Sequence, residues 1–154
     1  MILPVTSEDL EDVRRLFVEY QTEFGFTPCF QGFQDEIDHL PGRYASPLGA
    51  LLIARNLEGV ATGMVALRPT ELADTCEMKR LYVTHSARGT RLGQQLLDAI
   101  IHAARARNYL HMRLDTISGK MDRAIAMYRA AGFVDIPAWY ADPLPNMICL
   151  SKKL

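Results

Sequence analysis

The sequence predicts an α/β fold of the α+β kind: a mixed sheet flanked by helices, carried by one domain spanning 1–154. Three observations predict it. Two β-rich runs, 50–55 and 60–67, are joined by Asn56-Leu57-Glu58-Gly59, which is hairpin chemistry. A third run, 75–83, passes through a glycine-bearing turn into an apolar stripe at helical spacing: Leu92, Leu96, Ala99, Ile100, Ala103 and Ala104. The C-terminal part then alternates strand and helix. A plain doubly wound fold would alternate from the start, and the hairpin argues against it.

Taken in order, 2–5 is a short apolar strand. Thr6 or Ser7 can cap the next helix, and Glu8, Asp9 and Glu11 sit where the helix dipole favours negative charge. Leu10, Val13, Leu16, Phe17, Tyr20 and Phe24 mark its buried face. Pro28 and two glycines break the chain over 25–32, a short helix is expected over 33–40, and a loop runs through Pro47. The hairpin strands follow, and Gly63 inside the second predicts a bulge or the close approach of another element. Residues 68–74 connect to the third strand. After the long helix come a strand at 109–115, a helix at 120–131 stopped by Gly132, and a short strand at 133–136. A proline-containing loop at 137–146 leads to a closing strand at 147–151.

Composition narrows the function. The net charge is −1, which argues against a dedicated nucleic-acid binder. Cys29, Cys76 and Cys149 are too far apart for a zinc pattern or a disulfide framework, so free thiols in a reducing cytoplasm are expected. The first residues show no signal-peptide pattern, and no apolar run approaches membrane-spanning length. His39, His85, His102 and His111 have no metal spacing, and no metal is expected.

The turn after the third strand carries the chemistry. Arg88, Gly89, Thr90, Arg91, Leu92, Gly93 and Gln94 lie between strand and helix. Glycine permits unusual dihedrals and close approach, so backbone N–H groups can converge on one spot. The helix adds the positive end of its dipole, and a phosphate or pyrophosphate belongs there.

This stretch resembles the coenzyme A binding motif of the GNAT superfamily, the Gcn5-related N-acetyltransferases. That motif is Arg or Gln, two residues, Gly, one residue, then Gly or Ala. Arg88 and Gly93 match its ends, and Arg91 replaces the middle glycine. An arginine at φ > 0 would be unusual, although Arg91 could add charge beside a phosphate. Met127 to Phe133, MYRAAGF, resembles the later GNAT motif with its tyrosine and Gly-Phe. Leu114-Asp115-Thr116, Met121 and the IPAWYADPLP tail resemble a bacterial subgroup of the family. Many members carry asparagine where Met121 stands. The element order is also that of the GNAT fold.

The resemblance implies transfer of an acetyl group from acetyl-CoA to a primary amine, by direct attack in a ternary complex. It also implies roles for particular residues. Glu77 lies eleven positions before Arg88, where several members carry their glutamate base, and it is expected to act through a water. The alternative is a Glu77–Lys79 or Glu77–arginine pair serving only the fold. Strand alternation is expected to place Glu77, Lys79, Leu81 and Val83 on one face. Leu81, Tyr82 and Val83 fall where the family's strands splay, and a free N–H there could hold the thioester oxygen. Tyr128 falls where the family's tyrosine protonates the departing thiolate, although it also sits on an apolar stripe and could be core. Tyr44, Trp139 and Tyr140 lie in loops that can either wall the acceptor site or simply pack. The partners implied are acetyl-CoA and an amine acceptor, with a homodimer possible. A non-catalytic acyl-CoA sensor and a nucleotide-binding α/β domain are the alternative functions. The turn lacks the Gly-Lys-Ser/Thr ending of a P-loop.

Overall fold

A computed structural model of the chain describes residues 1–25 and 32–154. Cys29 and Pro28 lie outside the described residues. The strands are β1 (Ile2–Pro4), β2 (Ala50–Arg55), β3 (Ala61–Pro69), β4 (Thr75–Val83), β5 (His111–Ile117), β6 (Val134–Asp135) and β7 (Met147–Lys153). The helices are α1 (Leu10–Phe24), α2 (Phe33–Asp38), α3 (Leu92–Ala106) and α4 (Asp122–Ala130). The strands form one sheet in the order β1-β2-β3-β4-β5-β7-β6. β4 and β5 run parallel, and the other neighbours are antiparallel.

The helices cover both faces of this sheet. α1 buries Val13, Leu16, Phe17 and Tyr20 against Leu51, Ile53, Met64 and Ala66, together with Phe33 and Ile37 of α2. α3 buries Leu96, Leu97, Ile100, Ile101 and Ala104 on the other face, against Val65, Leu67, Cys76 and Met78. Tyr128 and Phe133 join that second core. Each Val, Leu, Ile, Phe or Met among them contributes roughly 1.5–3 kcal/mol when fully buried. The expected close approach at Gly63 is present: a Cβ there would lie 2.9 Å from Leu96 of α3 and 3.0 Å from the Tyr82 carbonyl oxygen.

Two irregularities shape the centre of the sheet. Met64 pairs with Tyr82 but Ala66 pairs with Lys79, so β4 holds one extra residue between them. This is a β-bulge, and Arg80 takes φ 60° within it. The bulge reverses the alternation of side chains. Cys76 and Met78 belong to the α3 core, yet Leu81 and Val83 pack against that same core while Tyr82 joins the α1 core. The expectation that Glu77 and Lys79 share a face with Leu81 and Val83 is therefore corrected. Second, the β4–β5 ladder consists of Thr75–His111, Cys76–Met112 and Glu77–Arg113. Beyond that pair the two strands part.

Candidate active site

A cavity of about 670 Å³ occupies the gap between the parted strands. Its wall takes residues 78–83 from β4, 114–116 from β5, and most of 87–94 from the turn into α3. Tyr20, Glu23 and Phe24 close it from α1, and Met121, Ala124, Met127 and Tyr128 from the α4 region. Since α1 and α3 lie on opposite faces, the cavity passes through the sheet at the place where strand pairing fails.

The turn has the geometry that its glycines predict, including at the residue that is not glycine. Gly89 takes φ 82°, and Arg91 takes φ 64°, ψ 13°, the left-handed conformation, at the N-terminal end of α3. Among the described residues, no backbone acceptor meets the N–H groups of Gly89, Thr90, Arg91, Leu92, Gly93 or Gln94. The helix interior begins with Gln95 donating to the Arg91 carbonyl. A run of free donors at the positive end of a 15-residue helix is an anion site. No acidic side chain lies in the first turn of α3. Thr90 tightens the loop by donating its hydroxyl to the Ala87 carbonyl at 2.6 Å. Gly93 lines the cavity, and a Cβ there would make ordinary contacts, 3.7 Å to Met127 and 3.8 Å to Val83.

Arg88 lines the cavity, and its side chain is engaged within the protein. Its side chain donates to Glu23 at 2.5 Å and to the Val83 carbonyl at 3.2 Å. Its guanidinium lies 5.9 Å from the centre of the Tyr82 ring, and Tyr82 donates to the same Glu23 at 3.1 Å. Arg88 thus ties the turn to α1 and to the end of β4. The arginine bond holds the Glu23 carboxyl below its ordinary range although burial opposes it. Burial, with Glu23 beside it, pushes the Tyr82 phenol up to about 12. Arg91 is exposed and makes no ion pair among the described residues.

Tyr128 lines the cavity, is 5% exposed, and packs on Phe133 with ring centres 5.8 Å apart. Burial pushes its phenol well above the usual range, with a small further push from Tyr20. The group therefore carries its proton at neutral pH. Leu81, Tyr82 and Val83 lie beyond the last β4–β5 pair, where the edge of β4 facing β5 has no strand partner. Met121 also stands at the cavity, its sulfur 3.2 Å from the Thr116 hydroxyl.

Glu77 is placed otherwise than expected of a base. It is 4% exposed and is not among the residues lining the cavity. Arg68 grips one carboxylate oxygen through Nε at 2.7 Å and Nη2 at 2.6 Å. Arg113 Nε lies 3.9 Å from the other. Lys79 is not its partner and pairs with Asp115 on β5 at 3.5 Å. Physically, the last hydrogen-bonded pair of β4 and β5 brings Arg113 beside Glu77, and charge matching does the rest.

Three acidic residues that line the cavity carry no role in the sequence reading: Glu23, Asp115 and Asp122. Asp115 lay inside the Leu114–Thr116 motif, but its neighbours depend on strand register. Tyr140 donates to Asp115 at 3.1 Å. Trp139 meets Tyr140 edge-on with ring centres 5.6 Å apart, and the Arg113 guanidinium lies 4.3 Å from the centre of the Trp139 ring. This loop packs and also bears on the site. Tyr44, 3% exposed and donating to Glu36, is core.

Among the described residues, no cluster of side chains could hold a metal ion, and no helix is long and apolar enough to cross a membrane. Residues 10–133 match the model of the acetyltransferase (GNAT) family. An uncharacterized N-acetyltransferase of Schizosaccharomyces pombe is 38% identical over 147 residues, covering 96% of this chain and 90% of that protein. A protein of Azospirillum brasilense named IAA acetyltransferase is 35% identical over 111 residues, 71% of each chain. In fold, the chain is similar to a GNAT-family acetyltransferase of Staphylococcus aureus, at TM-score 0.81 and 19% identity, covering 99% of this chain and 98% of that one. It is likewise similar to the PaiA N-acetyltransferase of Thermoplasma acidophilum, solved in complex with coenzyme A, at TM-score 0.78 and 16% identity, covering 100% and 98%. The through-sheet cavity, the donor-rich turn and these matches agree: the chain belongs to the GNAT acetyltransferase family and is an acyltransferase.

Proposed function

We propose that the chain moves an acetyl group from acetyl-CoA to a primary amine, by direct attack within a ternary complex. The observation that carries this reading is the free N–H run at 89–94, opening on a cavity that Tyr128 also lines. Coenzyme A has a pyrophosphate at one end of its pantetheine arm and a thiol at the other. With the pyrophosphate on the turn, the arm enters the gap between β4 and β5. Arg91 and Arg123 add positive charge to the wall. The relative solved with coenzyme A has the same fold, which supports this cosubstrate.

Each step then has a group suited to it. A backbone N–H at Leu81, Tyr82 or Val83 stabilises the oxyanion as the thioester carbonyl is attacked, an interaction worth roughly 3–4 kcal/mol in such sites. Tyr128 protonates the departing thiolate, a role that needs a phenol still holding its proton. Glu77 supports the site indirectly, by holding Arg68 and Arg113 at the point where the strands part.

The test is release of free CoA thiol from acetyl-CoA, followed over a panel of primary amines, with the acetylated product identified by mass. Amine-dependent thiol release supports the reading. Tight CoA binding without transfer to any amine favours the sensor function instead.

A further inference from the structure

We infer that Asp115 is the acceptor-side catalytic residue: it docks the acceptor as an ammonium ion and takes its proton. This rests on the acetyl-transfer reading of the same cavity.

Glu77–Arg113 is the last β4–β5 pair, so Lys79 and Asp115 are the next residues on the same face. They stand across the opening gap, and their ion pair at 3.5 Å spans it. Both side chains are nearly buried, at 10% and 12% exposure, and both residues line the cavity. Asp115 lies on the face opposite Leu114, which packs in the α3 core with Tyr128. The proposed acid and Asp115 therefore approach the gap from opposite faces. A nucleophile entering beside Asp115 meets the thioester carbonyl from the side away from the leaving sulfur's proton donor.

The groups facing Asp115 suit this role. Lys79 comes from β4, Tyr140 from the loop before β7, and Cys149 is its cross-strand partner on β7. Tyr140 donates to one carboxylate oxygen and fixes its orientation, as Trp139 fixes Tyr140. Lys79 reaches the other oxygen at a length that marks a loose pair. A substrate ammonium can replace the Lys79 ammonium there without changing the charge of the site, because the lysine stem is flexible. The proton passes from the ammonium nitrogen to the carboxylate oxygen. The freed nitrogen lone pair forms the C–N bond, the nitrogen gives its second proton to solvent as the C–S bond breaks, and the thiolate takes the Tyr128 proton. Solvent then reprotonates Tyr128 and removes the proton from Asp115. The balance is one ammonium and one thioester giving one amide, one thiol and one released proton.

The test compares two kinds of nucleophile. Hydroxylamine is largely uncharged at neutral pH and has no ammonium to dock. 2-Phenylethylamine, n-butylamine and spermidine are cations. For the fastest of the three, the ratio of its kcat/KM to that of hydroxylamine should fall in Asp115→Asn by about two to four orders of magnitude at neutral pH, the span for loss of a general base. The deficit should shrink as pH rises and the free amine accumulates. Asp115→Glu should recover part of the ratio. Tyr140→Phe, which leaves the carboxylate in place, should lower it several-fold and serves if the asparagine variant does not fold. An unchanged ratio in these variants, or wild-type transfer to hydroxylamine but to none of the three amines, overturns the inference while transfer chemistry stands. A wild-type protein that binds CoA and transfers to neither class overturns the proposed function, and this inference with it.

Discussion

Glu77→Gln separates a structural carboxylate from a catalytic one. The substitution keeps the shape and removes the charge. It leaves Arg68, whose side chain is 26% exposed, and Arg113, 8% exposed, without their shared countercharge. Removing one partner of a buried pair costs about 3–5 kcal/mol. Two features reduce that here. Arg68 is partly hydrated, and Arg113 keeps two bonds to Glu71 at 2.8 Å. A loss of about 2–3 kcal/mol is expected. For a chain of this size, each kcal/mol lowers Tm by about 2–4 °C, so a fall of about 4–12 °C follows. Turnover per folded molecule, with a cationic amine at neutral pH, should stay within about tenfold of wild type, well short of general-base loss. Thermal unfolding and thiol release on the same preparation give both numbers. An unchanged Tm with a loss of a hundredfold or more would refute the reasoning and make Glu77 the base.

Three further outcomes follow from the site. Tyr128→Phe should lower turnover about ten- to a thousand-fold with near-normal CoA affinity; unchanged turnover with a lower Tm would make Tyr128 core alone. Arg91→Gly relieves a left-handed non-glycine residue and should raise stability by about 0.5–1 kcal/mol in denaturant unfolding, whereas a loss would show that the Arg91 side chain contributes more than its backbone costs. Arg88 holds the Glu23 carboxyl below its ordinary value, so this pair stabilises the fold above the usual carboxylate pKa and that contribution is lost as pH falls through the lowered one. The fall of Tm on acidification should therefore be shallower in Glu23→Gln, and parallel profiles would contradict it.

Much of the fold was legible because its signals are local. The Asn56–Gly59 turn set the hairpin, and β2 and β4 have the bounds expected of their runs, apolar in β2 and bearing β-branched and aromatic residues in β4. Other ends moved. β5 starts at His111 and extends to Ile117, and β7 extends to Lys153, since the two are antiparallel partners along their whole length. α4 starts at Asp122, because Gly119 takes φ 90° and Lys120 donates to the Phe24 carbonyl. The place of the donor-rich turn was legible from Gly89 and Gly93, but its left-handed residue, Arg91, carries no glycine to mark it. The bulge at Arg80 was not legible, since no glycine marks it, and it set the wrong face for Leu81 and Val83. The arginine clasp on Glu77 and the Lys79–Asp115 bridge were not legible either. Both arise where two distant strands meet in register and then separate, which one strand's sequence does not record.

Binding of CoA to wild type and Gly93→Val, measured by titration calorimetry, tests the central claim most directly. A Cβ at position 93 fits the protein, with its nearest contacts at 3.7 and 3.8 Å, so the variant should fold. The added methyls stand between the free N–H groups and any pyrophosphate approaching them. The account predicts that wild type binds CoA and that the folded variant loses at least about a hundredfold in affinity, or roughly 2.7 kcal/mol. A folded Gly93→Val protein with wild-type affinity would contradict it.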